Sequence, residues 1–272
     1  FDDMDFNEAQ YAKKIANHIG TDHTEMYISP KEAMNVIPKL SKMYDEPFSD
    51  SSQIPAFLIS QLANQQVKVA LTGDGGDELF CGYNRYIFGE KLWKLSRATP
   101  AGLRKIFSIG IQFISQKNWD KISKYLPIIN QYNNFGDKLH KGARALDEKT
   151  LFNFYQLLCS HWHKPNEVVF NSRETNIISN KLRQQIETLN KQQQMMVFDF
   201  LTYLPGDILV KLDRASMASS IETRAPFLDH KLIEYAWKIP HRLKNKNGQG
   251  KWILKEILKQ YVPKNLTERP KM

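Results

Sequence analysis

Residues 66–78 read QVKVALTGDGGDE, the most informative stretch of the chain. The first seven, residues 66–72, form a short run rich in β-branched side chains, which predicts a buried strand. A turn with three glycines, Gly73, Gly75 and Gly76, follows directly. Ligands collect at the carboxyl ends of parallel strands, and glycines let the backbone approach a phosphate. The turn is therefore a candidate nucleotide-binding loop.

Three carboxylates lie in or beside this turn, at Asp74, Asp77 and Glu78. Because like charges this close repel one another, they indicate a hard cation such as Mg²⁺ that is shared with substrate phosphates. The simpler alternative is a polar turn in which Asp77 caps the next helix. The usual phosphate and calcium motifs do not fit the sequence: we find no P-loop, no Gly-x-Gly-x-x-Gly pattern and no calcium-binding loop.

Helices and a further short strand are predicted before this strand. The spacing of apolar residues indicates one helix that ends at Gly20 and a second over residues 31–44. Residues 25–28 read as a short strand between them. Ser51 or Ser52 can cap a third helix that leads into the main strand. Because helices and strands alternate here, this part of the chain indicates a parallel α/β sheet.

The remainder of the chain is predicted to be mostly helical. Helical spacing runs through residues 86–200, and three further helices follow. Those three are expected over Gly206–Ser220, Lys231–Trp237 and Lys251–Tyr261. The predicted fold class is therefore α/β, with a parallel-sheet nucleotide-binding layer and a large, mostly helical remainder. Its parts are residues 1–85, the nucleotide-binding layer, residues 86–200, a helical part, and residues 201–272, a helical part that completes the active site.

Composition narrows the class of protein. The chain has 272 residues, of which 42% are hydrophobic and 25% charged, as in ordinary globular proteins. No apolar run reaches the roughly 18 residues of a membrane helix, so we expect no membrane partner. The two cysteines exclude a disulfide framework and a zinc site, and they favour a cytoplasmic location. The net charge of +9 is unevenly placed: residues 241–272 carry nine Lys/Arg against two Asp/Glu, which fits a phosphate-bearing substrate or nucleic acid.

A second glycine-rich segment, Gly248-Gln249-Gly250-Lys251, leads into a predicted helix. Exposed N–H groups and the helix dipole attract anions at such a start. A lysine is unfavourable there for the helix alone, so Lys251 indicates a paired anion. The alternative is an exposed lysine at a helix end.

A third candidate segment lies in the helix predicted after Gly206. Lys211 and Arg214 are three residues apart and share one face, a spacing suited to binding a phosphate or a carboxylate. Asp213 is expected to point roughly 160° away from Lys211. The alternative for each of these residues is a surface ion pair. The later segment Glu222-x-Arg224 is interpreted as structural, a buried ion pair.

Together these segments resemble the synthetase domain of glutamine-dependent asparagine synthetases, and the resemblance spans nearly the whole chain. The matching stretches are residues 45–52 (DEPFSDSS), 71–83 (LTGDGGDELFCGY), 211–218 (KLDRASMA), 222–229 (ETRAPFLD) and 250–254 (GKWIL). These motifs are specific in their combination and order, whereas the helical middle adds little.

The resemblance implies an ATP-dependent ligase with an ATP-pyrophosphatase-like layer. ATP adenylates the side-chain carboxylate of aspartate with release of pyrophosphate, and ammonia from an N-terminal glutaminase domain then displaces AMP to give asparagine. ATP and Mg²⁺ are the implied cofactors, and a homodimer is a further expectation. Relatives with this fold form other amides, including β-lactam rings, so another carboxylate, in polysaccharide or secondary metabolite synthesis, stays an alternative. A basic nucleic-acid-binding domain is a further alternative, which the acidic first 50 residues oppose. The last alternative is a regulatory or scaffolding relative that keeps the fold without the chemistry, and the presence of Asp77, Glu78, Lys211 and Lys251 argues against it.

The resemblance also assigns roles to individual residues. The implied catalytic residues are Asp74, Tyr83, Lys211, Asp213 and Lys251. The implied nucleotide-binding residues are Ser51, Ser52, Thr72, Gly73 and Arg214, and the implied Mg²⁺ ligands are Asp77 and Glu78. Lys251 would stabilise charge as the adenylate forms and breaks. Asp74 stands where some relatives have glutamate, around the acyl-adenylate and the incoming ammonia, and Tyr83 matches a position used catalytically in the β-lactam-forming relatives.

Two parts of the family pattern are not found in the sequence. The pyrophosphate loop, Ser-Gly-Gly-x-Asp-Ser, is expected just before Phe1, and relatives continue beyond Met272. We therefore interpret the chain as one partial synthetase domain, truncated at both ends, and predict that the 272-residue fragment alone is inactive.

Overall fold

The computed structural model describes residues 9–125, 134–160, 162, 165–169 and 178–267. The chain divides into two compact units, the first made of residues 1–82 and 199–272 and the second of residues 83–198. Among the described residues, no helix is both long enough and apolar enough to span a bilayer.

Most of the described residues are helical. The helices of the first unit are α1 (Ala9–Ile19), α2 (Pro30–Tyr44), α3 (Gln53–Asn64), α4 (Gly76–Phe80), α13 (Leu209–Met217), α14 (His230–Lys238), α15 (His241–Lys244), α16 (Trp252–Leu258) and α17 (Lys264–Thr267). Those of the second unit are α5 (Asn84–Ala98), α6 (Ala101–Phe113), α7 (Gln116–Ser123), α8 (Phe135–Ala145), α9 (Leu151–Cys159), α10 (Pro165–Val168) and α11 (Asn180–Glu187), and α12 (Lys191–Leu201) continues into the first unit. A π-helical turn, Leu204–Ile208, precedes α13, and a 3-10 turn, Pro226–Leu228, precedes α14. The prediction that residues 86–200 are mostly helical is confirmed for the described residues of that range, which form α5 to α12 and the loops between them.

A small parallel sheet lies in the first unit. Strand β1 (Val69–Leu71) pairs with β2 (Glu222–Arg224) in parallel, with Ala70 opposite Thr223. The predicted parallel sheet is thus present, and in the described part of the chain it has two strands. Strand β2 is too short for a pattern in the sequence to predict it.

The structure corrects two strand predictions and the predicted burial of the Glu222–Arg224 ion pair. The strand predicted over residues 66–72 is shorter, Val69–Leu71, and is not buried. Strand side chains project from the faces of a sheet, and Leu71 is 73% exposed because the described residues leave its face largely uncovered. Residues 25–28 form no strand, since no described strand pairs with them. Glu222 and Arg224 do form an ion pair, with Nε and Oε1 2.7 Å apart, because alternate residues of β2 project from the same side. The pair is not buried, since the Arg224 and Glu222 side chains are 64% and 56% exposed.

The ends of the helices follow from local side-chain chemistry. Helix α2 begins with a capping box in which Ser29 and Glu32 satisfy each other's backbone N–H groups. Gly20, at φ +76°, ends α1 as predicted. Ser52 is the N-cap residue of α3, but its hydroxyl donates to the Asp50 carboxylate instead of capping the helix.

Two apolar clusters hold the first unit together. Val36, Phe57 and Ala215 join α2, α3 and α13. Leu79 and Phe80 pack with Ala236, so the short helix α4 is anchored against α14. Ile253 and Leu254 of α16 pack against the same second cluster, which brings the segment after Gly250 close to α4.

One lysine of the basic C-terminal segment is buried. Lys244 is 0% exposed, and its Nζ has no hydrogen-bond partner among the described residues. The Nζ lies 4.7 Å from the ring centroid of Trp237, a cation–π contact that partly replaces water. Burial lowers the pKa of Lys244 to about 8, against a smaller raising effect of Cys81.

Lys244→Met is expected to stabilise the protein at neutral pH. In the unfolded chain the lysine keeps its ordinary pKa of 10.5, so the unfolded state takes up a proton before the folded state does as the pH falls. The resulting loss in the free energy of unfolding is absent above about pH 10.5 and complete below about pH 8, where it amounts to about 3 kcal/mol. Thermal melts from pH 7 to pH 10 should show a gain for the variant that shrinks as the pH rises. Lys238→Met, at an exposed lysine of α14, is the matched control, and the same pH-independent difference in both variants would contradict the prediction.

Candidate active site

The candidate site is built on the turn that follows β1. The backbone N–H of Thr72 donates to the carbonyl of Arg224 at 2.8 Å and so extends the strand pairing by one residue. Gly75 has φ +86°, a backbone conformation that favours glycine, and a side chain there would push against the side chain of Leu228. A side chain added at Gly73 would meet no atom within 4 Å, so the backbone borders open space there. The Thr72 hydroxyl oxygen is buried without a hydrogen-bond partner among the described residues, and a bound polar ligand would remove that cost of about 1–3 kcal/mol.

An ion pair between Asp77 and Lys251 forms the centre of the site. Nζ of Lys251 lies 2.8 Å from Oδ2 of Asp77, and the two side chains are 33% and 31% exposed. The anion that the sequence predicts for Lys251 is therefore an aspartate side chain. An ion pair this exposed contributes about 0–1 kcal/mol to stability, so folding alone gives little reason for it.

The backbone holds this pair in place from both sides. The N–H of Lys251 donates to the Phe80 carbonyl at 2.9 Å, and the N–H of Gly82 donates to the Asp77 carbonyl at 2.8 Å. Lys251 itself has φ +54°, a left-handed conformation that costs a residue other than glycine about 1–3 kcal/mol. The backbone is therefore locally strained at Lys251, the residue whose ammonium group lies beside Asp77.

Two glycines permit this close approach. A side chain at Gly82 would collide with the Asp77 carboxylate and with Cε of Lys251. A side chain at Gly250 would collide with the backbone carbonyl oxygen of Cys81. The Asp77–Lys251 pair and the backbone carbonyl of Cys81 therefore occupy the space that a β-carbon at Gly82 or Gly250 needs.

Gly250→Ala is expected to displace Lys251 and to lower turnover at least about tenfold, with a loss of about 1–3 kcal/mol of stability. The obstacle is a backbone atom, which cannot swing aside as a side chain can. Turnover and thermal melts of the full-length protein measure both effects. Gly206→Ala is the matched control, since no atom lies within 4 Å of the added carbon. Equal turnover and equal thermal stability of the two variants would show that the close approach at Gly250 is not required for activity.

A second polar cluster lies between α13 and the segment before α3. Nζ of Lys211 lies 2.7 Å from Oδ2 of Asp50, and both side chains are largely buried. The other oxygen of Asp50 accepts hydrogen bonds from the backbone N–H and the hydroxyl of Ser52, at 2.8 and 2.6 Å. This carboxylate therefore ties the chain before α3 to the face of α13.

Tyr44 also belongs to this cluster, since its hydroxyl donates to the backbone carbonyl of Lys211 at 3.2 Å, and the pKa values of Asp50 and Tyr44 are shifted in opposite directions. Burial raises the pKa of Asp50, but the hydrogen bonds from Lys211 and Ser52 and the charge of Lys211 outweigh it, and the net pKa is lowered. Burial and the nearby charges of Asp50 and Asp207 raise the pKa of Tyr44 to about 12. Asp50 is therefore ionised and Tyr44 neutral at physiological pH.

Arg214 and Asp213 take separate positions on α13. Nη1 of Arg214 lies 3.0 Å from Oδ2 of Asp45, so Arg214 and Lys211 both reach the segment 45–52, as their spacing predicts. Asp213 is exposed. The structure thus brings Ser52 and Lys211 together on Asp50, whereas Arg214 pairs with Asp45 and Asp213 is exposed.

Comparison with known proteins shows to which family the chain belongs. The asparagine synthase family model matches residues 1–272, the whole chain. The chain belongs to the asparagine synthase family. Among the relatives, asparagine synthetase [glutamine-hydrolyzing] 1 of Bacillus subtilis is 31% identical over 279 residues, covering 100% of this chain and 40% of the relative. A putative asparagine synthetase [glutamine-hydrolyzing] of Mycobacterium tuberculosis is 28% identical over 272 residues, covering 100% of this chain and 39% of the relative.

More distant relatives carry a different name. Amidase chry2 of Gibberella zeae is 23% identical over 278 residues, covering 94% of this chain and 39% of that protein. The chain thus spans about 40% of the length of these curated relatives.

Tyr83, a catalytic candidate from the sequence, begins the second unit. Its ring centroid lies 4.1 Å from the Arg85 guanidinium and meets Tyr86 edge-on at 5.6 Å. Nε of Arg85 donates to the Tyr155 hydroxyl at 2.8 Å. The ring of Tyr83 is therefore held by a cation and a second tyrosine.

The two predicted Mg²⁺ ligands differ in access. Asp77 is partly exposed, whereas Glu78 is 1% exposed in the interior of the first unit. No three His, Cys, Asp or Glu side chains gather as a metal cluster among the residues that the structure describes. Mg²⁺ commonly takes one or two carboxylates together with substrate phosphates and water, so a single accessible aspartate fits that mode of binding. Of the two residues, Asp77 is the one that a metal–nucleotide complex can reach.

Sequence reasoning missed two partners within the site. Asp50 lies in the matched segment 45–52, and no local sequence pattern indicated its ion pair with Lys211. Arg85 follows Tyr83 by two residues, outside the matched motif. The sequence feature that could have identified Asp50 as a site residue is its presence in the same motif as Ser51 and Ser52.

Proposed function

We propose that the protein containing this chain is an ATP-dependent ligase that converts the side-chain carboxylate of aspartate to an amide. The observation that carries this proposal is the Asp77–Lys251 pair, 2.8 Å apart beside the glycine turn. The names of the relatives, glutamine-hydrolysing asparagine synthetases, support the choice of product.

The nucleotide is proposed to bind at the turn after β1, in a layer like that of the ATP-pyrophosphatases. Parallel pairing of β1 with β2 places this turn at the carboxyl end of the sheet, where nucleotides commonly bind. The open space at Gly73 and the unpartnered hydroxyl of Thr72 suit a phosphate or a ribose oxygen. Ser51, Ser52 and Arg214 are proposed to line the phosphate side.

In the first step, a carboxylate oxygen of aspartate attacks the α-phosphorus of ATP, and the bond to the leaving pyrophosphate breaks. Negative charge grows on the phosphoryl oxygens during this step. Lys251 uses one N–H of its ammonium for Asp77, which leaves two donors for those oxygens. Mg²⁺ held by Asp77 and the phosphates would neutralise the leaving pyrophosphate.

In the second step, ammonia attacks the acyl carbon, AMP leaves, and the new amide nitrogen loses a proton. Asp74, partly exposed on the same turn, is proposed to accept that proton. Glutamine hydrolysis, which the relatives' names state, is the proposed source of ammonia.

Aspartate-dependent exchange of pyrophosphate into ATP tests the proposal, measured with the full-length protein and with this 272-residue chain in parallel. We expect exchange by the full-length protein that requires both aspartate and Mg²⁺, and none by the chain alone. Exchange in the absence of any carboxylic acid, or none with any acid tested, would contradict carboxylate adenylation.

A second candidate is a ligase that acts on a different carboxylate. The amidase-named relative favours it weakly, since that relative covers the same region of the chain. Exchange that fails with aspartate and appears with another carboxylic acid would establish this alternative.

A further inference from the structure

Helix α6, in the second unit, turns its apolar side outward. Its large exposed apolar residues are Leu103, Ile106, Phe107, Ile109 and Phe113. Phe113 is 91% exposed, and side chains added at Gly102 or Gly110 would meet no atom within 4 Å. The buried residue of the helix is Ser108. This arrangement is the reverse of an ordinary surface helix, whose apolar side faces the core.

The exposed apolar residues form one continuous face. With about 100° of rotation per residue, the face extends over roughly 160°, from Ile109 to Phe107, and holds no charged residue. Arg104 and Lys105 flank it, one on each side, at about 60° and 40° from its edges. Exposed contiguous apolar surface bordered by cations marks an interaction surface rather than ordinary solvent-facing protein.

The surrounding sequence is strongly basic. Residues 91–119 contain six Lys/Arg and no Asp/Glu. Over residues 83–198 there are 18 Lys/Arg against 8 Asp/Glu, whereas the rest of the chain has 20 against 21. The entire positive excess of the protein therefore belongs to the second unit, and its acid-free stretch contains α6.

We propose that the apolar face of α6, flanked by its cations, docks on the surface of an anionic phospholipid bilayer, with the helix lying flat in the interface. Acyl chains accept apolar side chains without a matching groove, and lipid phosphates neutralise the flanking cations. A nucleic acid would satisfy the cations but leave the apolar face in water. A second copy of the chain would cover the face but bring two basic surfaces together. The proposal revises the expectation from composition that no membrane is involved, and it requires no spanning helix.

The test is co-sedimentation of the full-length protein with lipid vesicles. One set contains phosphatidylcholine alone and the other about one third phosphatidylglycerol. We expect binding to the anionic vesicles that weakens when salt is raised to about 0.5 M. The double variant Ile106→Ser/Phe113→Ser should bind at least about tenfold more weakly, because it removes two apolar contacts but no charge.

Ile59→Ser/Tyr235→Ser is the matched control, since it removes two exposed apolar side chains from the first unit, and it should bind as the unchanged protein does. No binding to anionic vesicles, or equal loss in both double variants, would overturn the proposal. So would a change of oligomeric state in the α6 variant without any vesicle binding, because a second copy would then be the partner of this face. Circular dichroism and thermal melts must first show that both variants are folded.

Discussion

Lys251→Ala is expected to lower the turnover of the full-length protein about 100-fold or more. The substitution removes the ammonium that the backbone holds 2.8 Å from Asp77, and no other lysine or arginine pairs with Asp77 among the described residues. Because the proposed interaction strengthens as charge develops on the phosphoryl oxygens, the loss should fall on kcat, with little change in the KM for aspartate. Steady-state kinetics and pyrophosphate exchange measure the two quantities.

Lys259→Ala is the matched control for this prediction. Lys259 lies just after α16, and its Nζ pairs with Oε1 of Glu256 at 2.6 Å on the surface, so it makes the same kind of contact as Lys251 at the opposite end of the helix. We expect less than a twofold change for it. A fall of less than about threefold for Lys251→Ala would assign Lys251 to the surface and remove the main support for the proposed function.

Asp77→Asn is expected to weaken Mg²⁺-dependent binding of ATP about 100-fold and to abolish detectable exchange. Asparagine keeps the shape of the side chain, so the fold around Gly82 should survive. What changes is the charge, which both a Mg²⁺ ion and Lys251 require. Titration calorimetry with ATP, with and without Mg²⁺, separates loss of the metal from loss of the nucleotide.

Asp137→Asn provides the comparison, since Asp137 also pairs with a lysine, Lys141, at 3.4 Å on a helix surface. Its ATP binding should match that of the unchanged protein. If Asp77→Asn bound ATP with unaltered Mg²⁺ dependence, the metal site would have to lie elsewhere.

Local patterns in the sequence indicated some of the site chemistry before the fold was known. The three-residue spacing of Lys211 and Arg214 correctly placed both on one face, because helix geometry depends on sequence separation alone. The unfavourable position of Lys251 at a helix start indicated an anionic partner. The identity of that partner, Asp77, depends on tertiary packing of α16 against α4, which no local pattern encodes.

Other features escaped prediction for equally physical reasons. β2 is three residues long with two charged side chains, so neither alternation nor β-branching distinguishes Glu222–Arg224 from a loop. Residues 25–28 had a suitable pattern but no neighbouring strand, and a strand requires a partner. Lys244 looked like part of a solvated basic segment, and only the packing of α15 beside Trp237 removes it from water.

The parallel pairing of β1 with β2 also governs when the site can form. Leu71 and Arg224 are partners in the ladder, yet the whole second unit lies between them in the sequence. During synthesis the glycine turn therefore emerges long before the strand that supports it, and closing such a long loop carries an entropic cost before any contact repays it. Folding of the first unit must wait for its C-terminal part, and a protein stalled after residue 198 would display an unpaired β1 edge, a hazard for aggregation.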